Sequence, residues 1–276
     1  MTPAPIKEME KIARRIRGRV VELSHLTKTQ HLGSSLSCVD ILTACYWSVL
    51  RIDHQAPGDP CRDRFILSKG HAAPALYVAL AYKSFFPEEL LTTFAQDGSH
   101  FAEHPCPKGI PGVEAATGSL GHGLSLGIGM ALAGRILRHT YRVFALLSDG
   151  ECNEGSVWEA AMMAPAHGLD NIAVIVDYNR WQATGRSEEV LALKPLREKW
   201  AAFGWDAHEI DGHDLSALCA LLHTVPDGSG KPRAIIAKTV KGKGVSFMED
   251  DNNWHYRVPT EEEVFAAKRE LGLVES

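Results

Sequence analysis

The sequence predicts an α/β domain on a doubly wound, mainly parallel sheet flanked by helices, and three observations carry that reading. Two apolar, β-rich runs, 143–147 and 172–176, show the unbroken hydrophobicity of strands buried on both sides. The segment 155–167 between them has the length of a crossover helix, with Trp158, Ala161 and Met162 available for packing, so the three together read as a βαβ unit. Beyond it, strand-like and helix-like segments alternate to the end of the chain.

Taken in order, residues 6–26 place Ile12, Ile16, Val20 and Leu23 at helical spacing with basic residues between them, which predicts an amphipathic helix. A more apolar helix is expected over 40–50, a loop over 57–64, a short strand at 65–67 and a helix over 74–82 after Gly70 and His71. The stretch 96–121, rich in Gly, Pro and His, reads as irregular, and a loop of that length inside a domain usually serves function. Small residues at Gly127, Gly129, Ala131, Ala133 and Gly134 mark a closely packed helix over 124–139. After the βαβ unit come a helix (195–203), a strand (205–210), a helix (215–223), a strand (234–239) and a short helical tail from about residue 260. One domain over residues 1–276 is the simplest organisation.

The 276 residues are 45% hydrophobic and 23% charged, enough for a sizeable core. A formal net charge of -5 leaves no basic footprint for nucleic acid. No run approaches the roughly 18 apolar residues of a membrane span, and the first residues lack the apolar core of a secretion signal, so a cytoplasmic protein without membrane contact is expected. The six cysteines, at 38, 45, 61, 106, 152 and 219, form no Cys-x-x-Cys pair and are expected as free thiols, mostly buried.

Chemistry concentrates at two strand ends. Asp149-Gly150 closes the first apolar run and Asn179 follows the second, so a carboxylate and an amide oxygen would sit side by side. Both are hard donors suited to Mg²⁺ or Ca²⁺, and two side chains leave positions for water and phosphate oxygens. Gly150 lacks a Cβ and lets a diphosphate approach the main chain. Either motif alone reads first as turn chemistry; the pair gains weight from the crossover helix between them, which would bring both polar groups to the carboxyl edge of a sheet. His31, His71, His104, His122 and His255 all lie beside Gly, Pro or loops, and as a set predict donors around a hydroxylated substrate. The glycines at 118–123 imitate a dinucleotide fingerprint but lack a preceding strand. His100, Glu103 and His104 match a zinc-hydrolase spacing, yet Pro105 and Pro107 oppose the helix it needs. The lysine-rich 238–244 reads as a phosphate-steering loop or a solvated one.

These residues resemble the thiamine-diphosphate-binding region of transketolases, most closely the N-terminal subunit of the split, two-chain form. The likeness runs from about residue 12 to 259 and rests on the segment 63–72, on 117–123, and on the Asp149-Gly150 to Asn179 motif. The resemblance implies Asp149, Asn179 and the main-chain oxygen of Trp181 as metal contacts, and His71, Gly118, Leu120, Gly150, Glu154, Asn179 and His255 around thiamine diphosphate. His31, His104 and His255 are implied as the catalytic histidines, and Glu154 as a carboxylate at the interface of two cofactor-binding domains. The sequence departs from the pattern at Gln30 and Leu32 beside His31, at Ser148, and at Tyr256, where Gly is usual. The implied activity is transfer of a two-carbon ketol unit from a ketose phosphate to an aldose. It requires a partner, the C-terminal transketolase subunit with the pyrimidine-binding domain, in an α2β2 assembly. A deoxyxylulose-phosphate-synthase-like or decarboxylating thiamine enzyme, or a non-catalytic binding subunit, would share the fold.

Overall fold

Among the described residues five strands, β1 (Arg64–Leu67), β2 (Val143–Ser148), β3 (Ile172–Tyr178), β4 (Asp206–Asp211) and β5 (Arg233–Lys238), form one sheet in the order β1-β2-β3-β5-β4, with every pairing parallel. The structure is a computed structural model that describes residues 3–274. Around the sheet lie α1 (Ile6–Thr27), α2 (Leu32–Ser37), α3 (Val39–Ala44), α4 (Ala73–Tyr82), α5 (Gly123–Ile136), α6 (Gly155–Ala166), α7 (Ser187–Val190), α8 (Leu196–Ala202), α9 (Leu215–His223) and α10 (Glu261–Glu270).

The apolar runs are continuous because both sheet faces are covered: every residue of β2 and β3 is buried. Alternation along the strands sends Val143, Ala145, Leu147, Ile172, Val174 and Val176 to the core shared with α5, α6 and α8. Phe144, Leu146, Ala173 and Ile175 point the other way, into a core with α1, α3, α4 and α9. Each buried Val, Leu, Ile or Phe among them contributes about 1.5–3 kcal/mol of burial free energy, the alanines less. The tail helix α10 starts at a capping box between Thr260 and Glu263, and its Ala267 packs into the second core.

Several elements differ from expectation, among them α7, for which the sequence reading has no counterpart. The helix expected over 40–50 is α3 followed by a π-helical turn, Cys45–Val49, in which Leu50 N–H donates to Cys45 O at 2.8 Å. The short helix α2 has no counterpart in the sequence reading, since Gly33-Ser34-Ser35 gives no apolar period; it is entirely buried, which lets neighbouring elements fix it. Helix α5 stops at Ile136, before the expected 139, where Arg138 takes a left-handed φ of 58°. The stretch 96–121 is irregular as expected, and it forms no helix that could align His100, Glu103 and His104 on one face. All six cysteines are free, with four buried. Among the described residues no helix is long and apolar enough to cross a membrane.

Candidate active site

Parallel pairing sets Ser148 opposite Asp177, so the chains leaving β2 and β3 emerge together at the carboxyl edge of the sheet. Asp149 Oδ1 accepts from Gly150 N–H at 2.9 Å. Its Oδ2 accepts from Arg180 N–H and from Ser187 Oγ, both at 2.8 Å. The carboxylate is fully buried, and burial, with the Asp177 charge nearby, pushes it up to about 7 in spite of those hydrogen bonds. A buried carboxylate so disfavoured as an anion is a fitting ligand for a cation. Asn179 donates from Nδ2 toward Asp177 Oδ2 at 3.4 Å and accepts at Oδ1 from Trp181 N–H at 3.0 Å, which settles the amide's orientation. Trp181 is held by Asp250, which accepts from its Nε1 at 2.8 Å, and by Arg186 stacked 3.7 Å from its ring centre.

Four of the predicted histidines meet. Ring centres lie 4.9 Å apart for His31 and His255, 5.6 Å for His31 and His71, 6.1 Å for His71 and His255, and 6.3 Å for His31 and His104. They come from four places in the chain: the entry to α2, the turn before α4, the long irregular stretch, and a 3₁₀ turn at Asn252–His255. His31 has a left-handed φ of 66°, and its N–H donates to His255 O at 2.8 Å, so backbone as well as side chain join these two. Burial, reinforced by His104 and Lys241, lowers His31 to about 4; burial and then Lys241 lower His255 to about 3; burial and Lys69 hold His71 well below its usual value. At neutral pH these three rings are uncharged, each with one donor and one acceptor nitrogen. His122 is exposed on the adjoining turn and takes no part in the cluster.

The glycines singled out in the sequence are close-approach points. At Gly118, with φ of +133°, a Cβ would sit 2.7 Å from the His104 ring. Gly118→Ala should therefore displace His104 and strain the main chain by about 1–3 kcal/mol. We expect turnover to fall by about tenfold with a modest loss of stability, read by kcat/KM beside thermal melting; unchanged kcat/KM would remove His104 from the site. At Gly150 a Cβ would lie 3.0 Å from Gln182, whose buried amide nitrogen Nε2 has no hydrogen-bond partner among the described residues. That free donor beside an open main chain fits the oxygen of a diphosphate. Leu120 is half-buried and Glu154 exposed at the rim, against Gly121.

Several supporting residues had no sequence signal. Lys69 and Asp177 form a completely buried ion pair directly beneath the site. Burial opposes both charges, yet their pairing prevails and holds Lys69 above and Asp177 below the usual value. Lys69 Nζ also donates to Ser34 O at 2.9 Å, and Asp177 accepts from Ser37 Oγ at 2.6 Å and from Thr239. Buried Glu151 accepts from Ser68 and, at 2.9 Å, from Gly121 N–H, tying the glycine turn to the end of β2. In the 238–244 loop, Lys241 is buried within the site, 3.1 Å from His255 Nδ1, whereas Lys238 and Lys243 pair outside with Glu209 and Glu249. Among the described residues no group of three or more His, Cys, Asp or Glu is arranged to hold a metal ion, so a cation here would need amide, main-chain and ligand oxygens beside the Asp149 carboxylate.

Comparison with known proteins agrees with this geometry. The family profile described as "Transketolase, thiamine diphosphate binding domain" matches residues 9–276. An apulose-4-phosphate transketolase subunit of Phocaeicola vulgatus is 41% identical over 266 residues, covering 96% of this chain and 94% of that protein. The 6-deoxy-6-sulfo-D-fructose transketolase subunit SqwG of Clostridium sp. is 42% identical over 241 residues, covering 87% and 88%. The transketolase structure from Leishmania mexicana superposes with a TM-score of 0.91 at 27% identity, over 98% of this chain but only 42% of that one. The chain thus spans about two fifths of that transketolase and nearly the whole of its subunit-sized relatives. It belongs to the transketolase family, as the thiamine-diphosphate-binding N-terminal subunit of the split form.

Proposed function

We propose that this chain forms the diphosphate-binding half of a two-chain transketolase, which moves a two-carbon ketol unit from a ketose phosphate to an aldose. The observation that carries the reading is the convergence of three uncharged imidazoles and His104 beside the Asp149–Asn179 strand tips. In this reading residues 1–276 are one domain working in the cytoplasm. Asp149, Asn179 and the main-chain oxygen of Trp181 hold Mg²⁺ (or Ca²⁺). Gly150, Gln182, His71, Gly118 and Leu120 receive thiamine diphosphate.

Bound there, the cofactor supplies the carbon nucleophile and the electron sink for carbon–carbon cleavage. The chain's own residues bind and orient. His31, His104 and His255 hold substrate hydroxyls, and a neutral ring can accept a proton on one nitrogen while donating from the other. Lys241 places positive charge next to His255. Glu154, exposed on the rim, faces a C-terminal partner chain that brings the pyrimidine-binding domain, in an α2β2 assembly.

The test is calorimetric titration of thiamine diphosphate into the co-expressed pair, with Mg²⁺ and with chelator, followed by a panel of ketose phosphate donors and aldose acceptors. Metal-dependent binding with ketol transfer is expected. Turnover of pyruvate but no ketose phosphate would replace this reading with a decarboxylating one.

A further inference from the structure

Behind the histidine cluster runs a buried chain of charged and polar groups with no assigned task. Arg17 grips Asp40 through two N–H groups, at 3.1 Å to Oδ1 and 2.7 Å to Oδ2, and the two side chains are only 6% and 8% exposed. Oδ2 also lies 2.7 Å from His213 Nδ1, and the other nitrogen of that ring, Nε2, lies 2.9 Å from the main-chain N–H of Val240. A peptide N–H only donates, so Nε2 accepts and the ring proton is assigned to Nδ1, facing Asp40.

Burying an ion pair is costlier than packing apolar groups in its place. What this pair secures is one backbone position, and the next residue is Lys241. Lys241 donates from Nζ to Asn252 Oδ1 at 2.7 Å and lies 3.1 Å from His255 Nδ1. Its turn is pinned again where Gly242 N–H donates to Gly33 O at 2.9 Å. An ammonium has no lone pair, so Nδ1 of His255 accepts from it and the ring proton goes to Nε2. The nitrogen left for a ligand is then a donor.

We propose that Asp40 and His213 are positioning residues: by holding the main chain at Val240 they seat Lys241 against His255 and fix that ring as the Nε2–H tautomer. The seat and the tautomer are properties of the chain itself; only the use of His255 on a sugar rests on the transketolase reading. Asp40→Asn disturbs the seat in either amide orientation: one sets an N–H against the Arg17 guanidinium and loosens its grip, the other sets it against His213, reversing that ring and presenting Val240 with a second donor.

The direct test is ¹⁵N NMR of histidine side chains in the full chain. Wild type should show His255 as Nε2–H and His213 as Nδ1–H. Lys241→Met removes the donor and should leave His255 in mixed tautomers; His213→Leu should do the same. His213→Gln can accept from Val240 while donating to Asp40, and should restore the wild-type His255 signal. Should His213→Leu fail to fold, Asp40→Asn serves as the second variant, with the same change expected at His255. A His255 signal unaltered by His213→Leu or Asp40→Asn would overturn the proposal. In the active complex, His213→Leu should lower kcat/KM by about tenfold, yet by less than about twofold in a Lys241→Met background, because residues that act through one another are non-additive. Equal losses in both backgrounds would also overturn it. Absence of any ketol transfer by the wild-type pair would sink the transketolase reading and leave the tautomer result intact.

Discussion

Asp149→Ala is expected to weaken Mg²⁺-dependent binding of thiamine diphosphate by at least about 100-fold while leaving the chain folded. The carboxylate is buried and held up to about 7, so its charge is disfavoured in the folded chain and its contribution to the fold is through its hydrogen bonds. Its removal orphans Gly150 N–H, Arg180 N–H and the Ser187 hydroxyl, a loss of about 1–3 kcal/mol for each group that water cannot reach. Asp149→Asn keeps the shape but only one acceptor oxygen, and sets an N–H against either Gly150 N–H or Arg180 N–H; it should melt between wild type and Asp149→Ala, with Mg²⁺-dependent binding still lost. Calorimetry with and without Mg²⁺ reads the binding, thermal melting the stability. Unimpaired binding in Asp149→Ala would place the cation elsewhere.

Asp177→Leu is expected to be the most destabilising single change near the site, by about 3–5 kcal/mol, because it strands Lys69 as an uncompensated buried cation. It also takes an acceptor from Ser37, Thr239 and the Asn179 amide. Asp177→Leu combined with Lys69→Met removes both charges and should recover much of the loss, since contacting residues couple. Urea unfolding of the two single variants and the double variant measures that coupling. Additive losses would mean that the pair contributes nothing as a pair.

The sequence disclosed the site's two poles but not what holds them in place. Strands β2 and β3 were readable because burial on both faces leaves no polar interruption, and Asp149 and Asn179 because a polar residue straight after such a run lands at the sheet edge. The histidines were readable as a set for a similar reason: each lies beside Gly, Pro or a loop. Nothing in a linear pattern separated His122, exposed on the glycine turn, from His71, since that depends on how loops far apart in the chain approach. Lys69, Glu151 and Asp177 were missed because a charged residue is a surface residue by default, and only the fold reveals partners 108 residues apart. The 238–244 loop was undecided between phosphate steering and solvation. It proves to be divided, with Lys241 inward and its two neighbours in rim ion pairs. Helix α2 was invisible because four of its six residues are glycine or serine, and so short a segment becomes helical only when tertiary contacts bury it.

The left-handed backbone at His31 limits how this pocket can be redesigned. A β-branched or bulky apolar residue there would be strained before it met any sugar, which leaves Gly, Asn or Asp as the readily accommodated exchanges. A library meant to widen the range of accepted sugars gains more from Tyr256, whose ring stands edge-on to His255 at 4.7 Å and is 56% exposed. That side chain can vary without disturbing the main-chain bond through which His31 and His255 are joined.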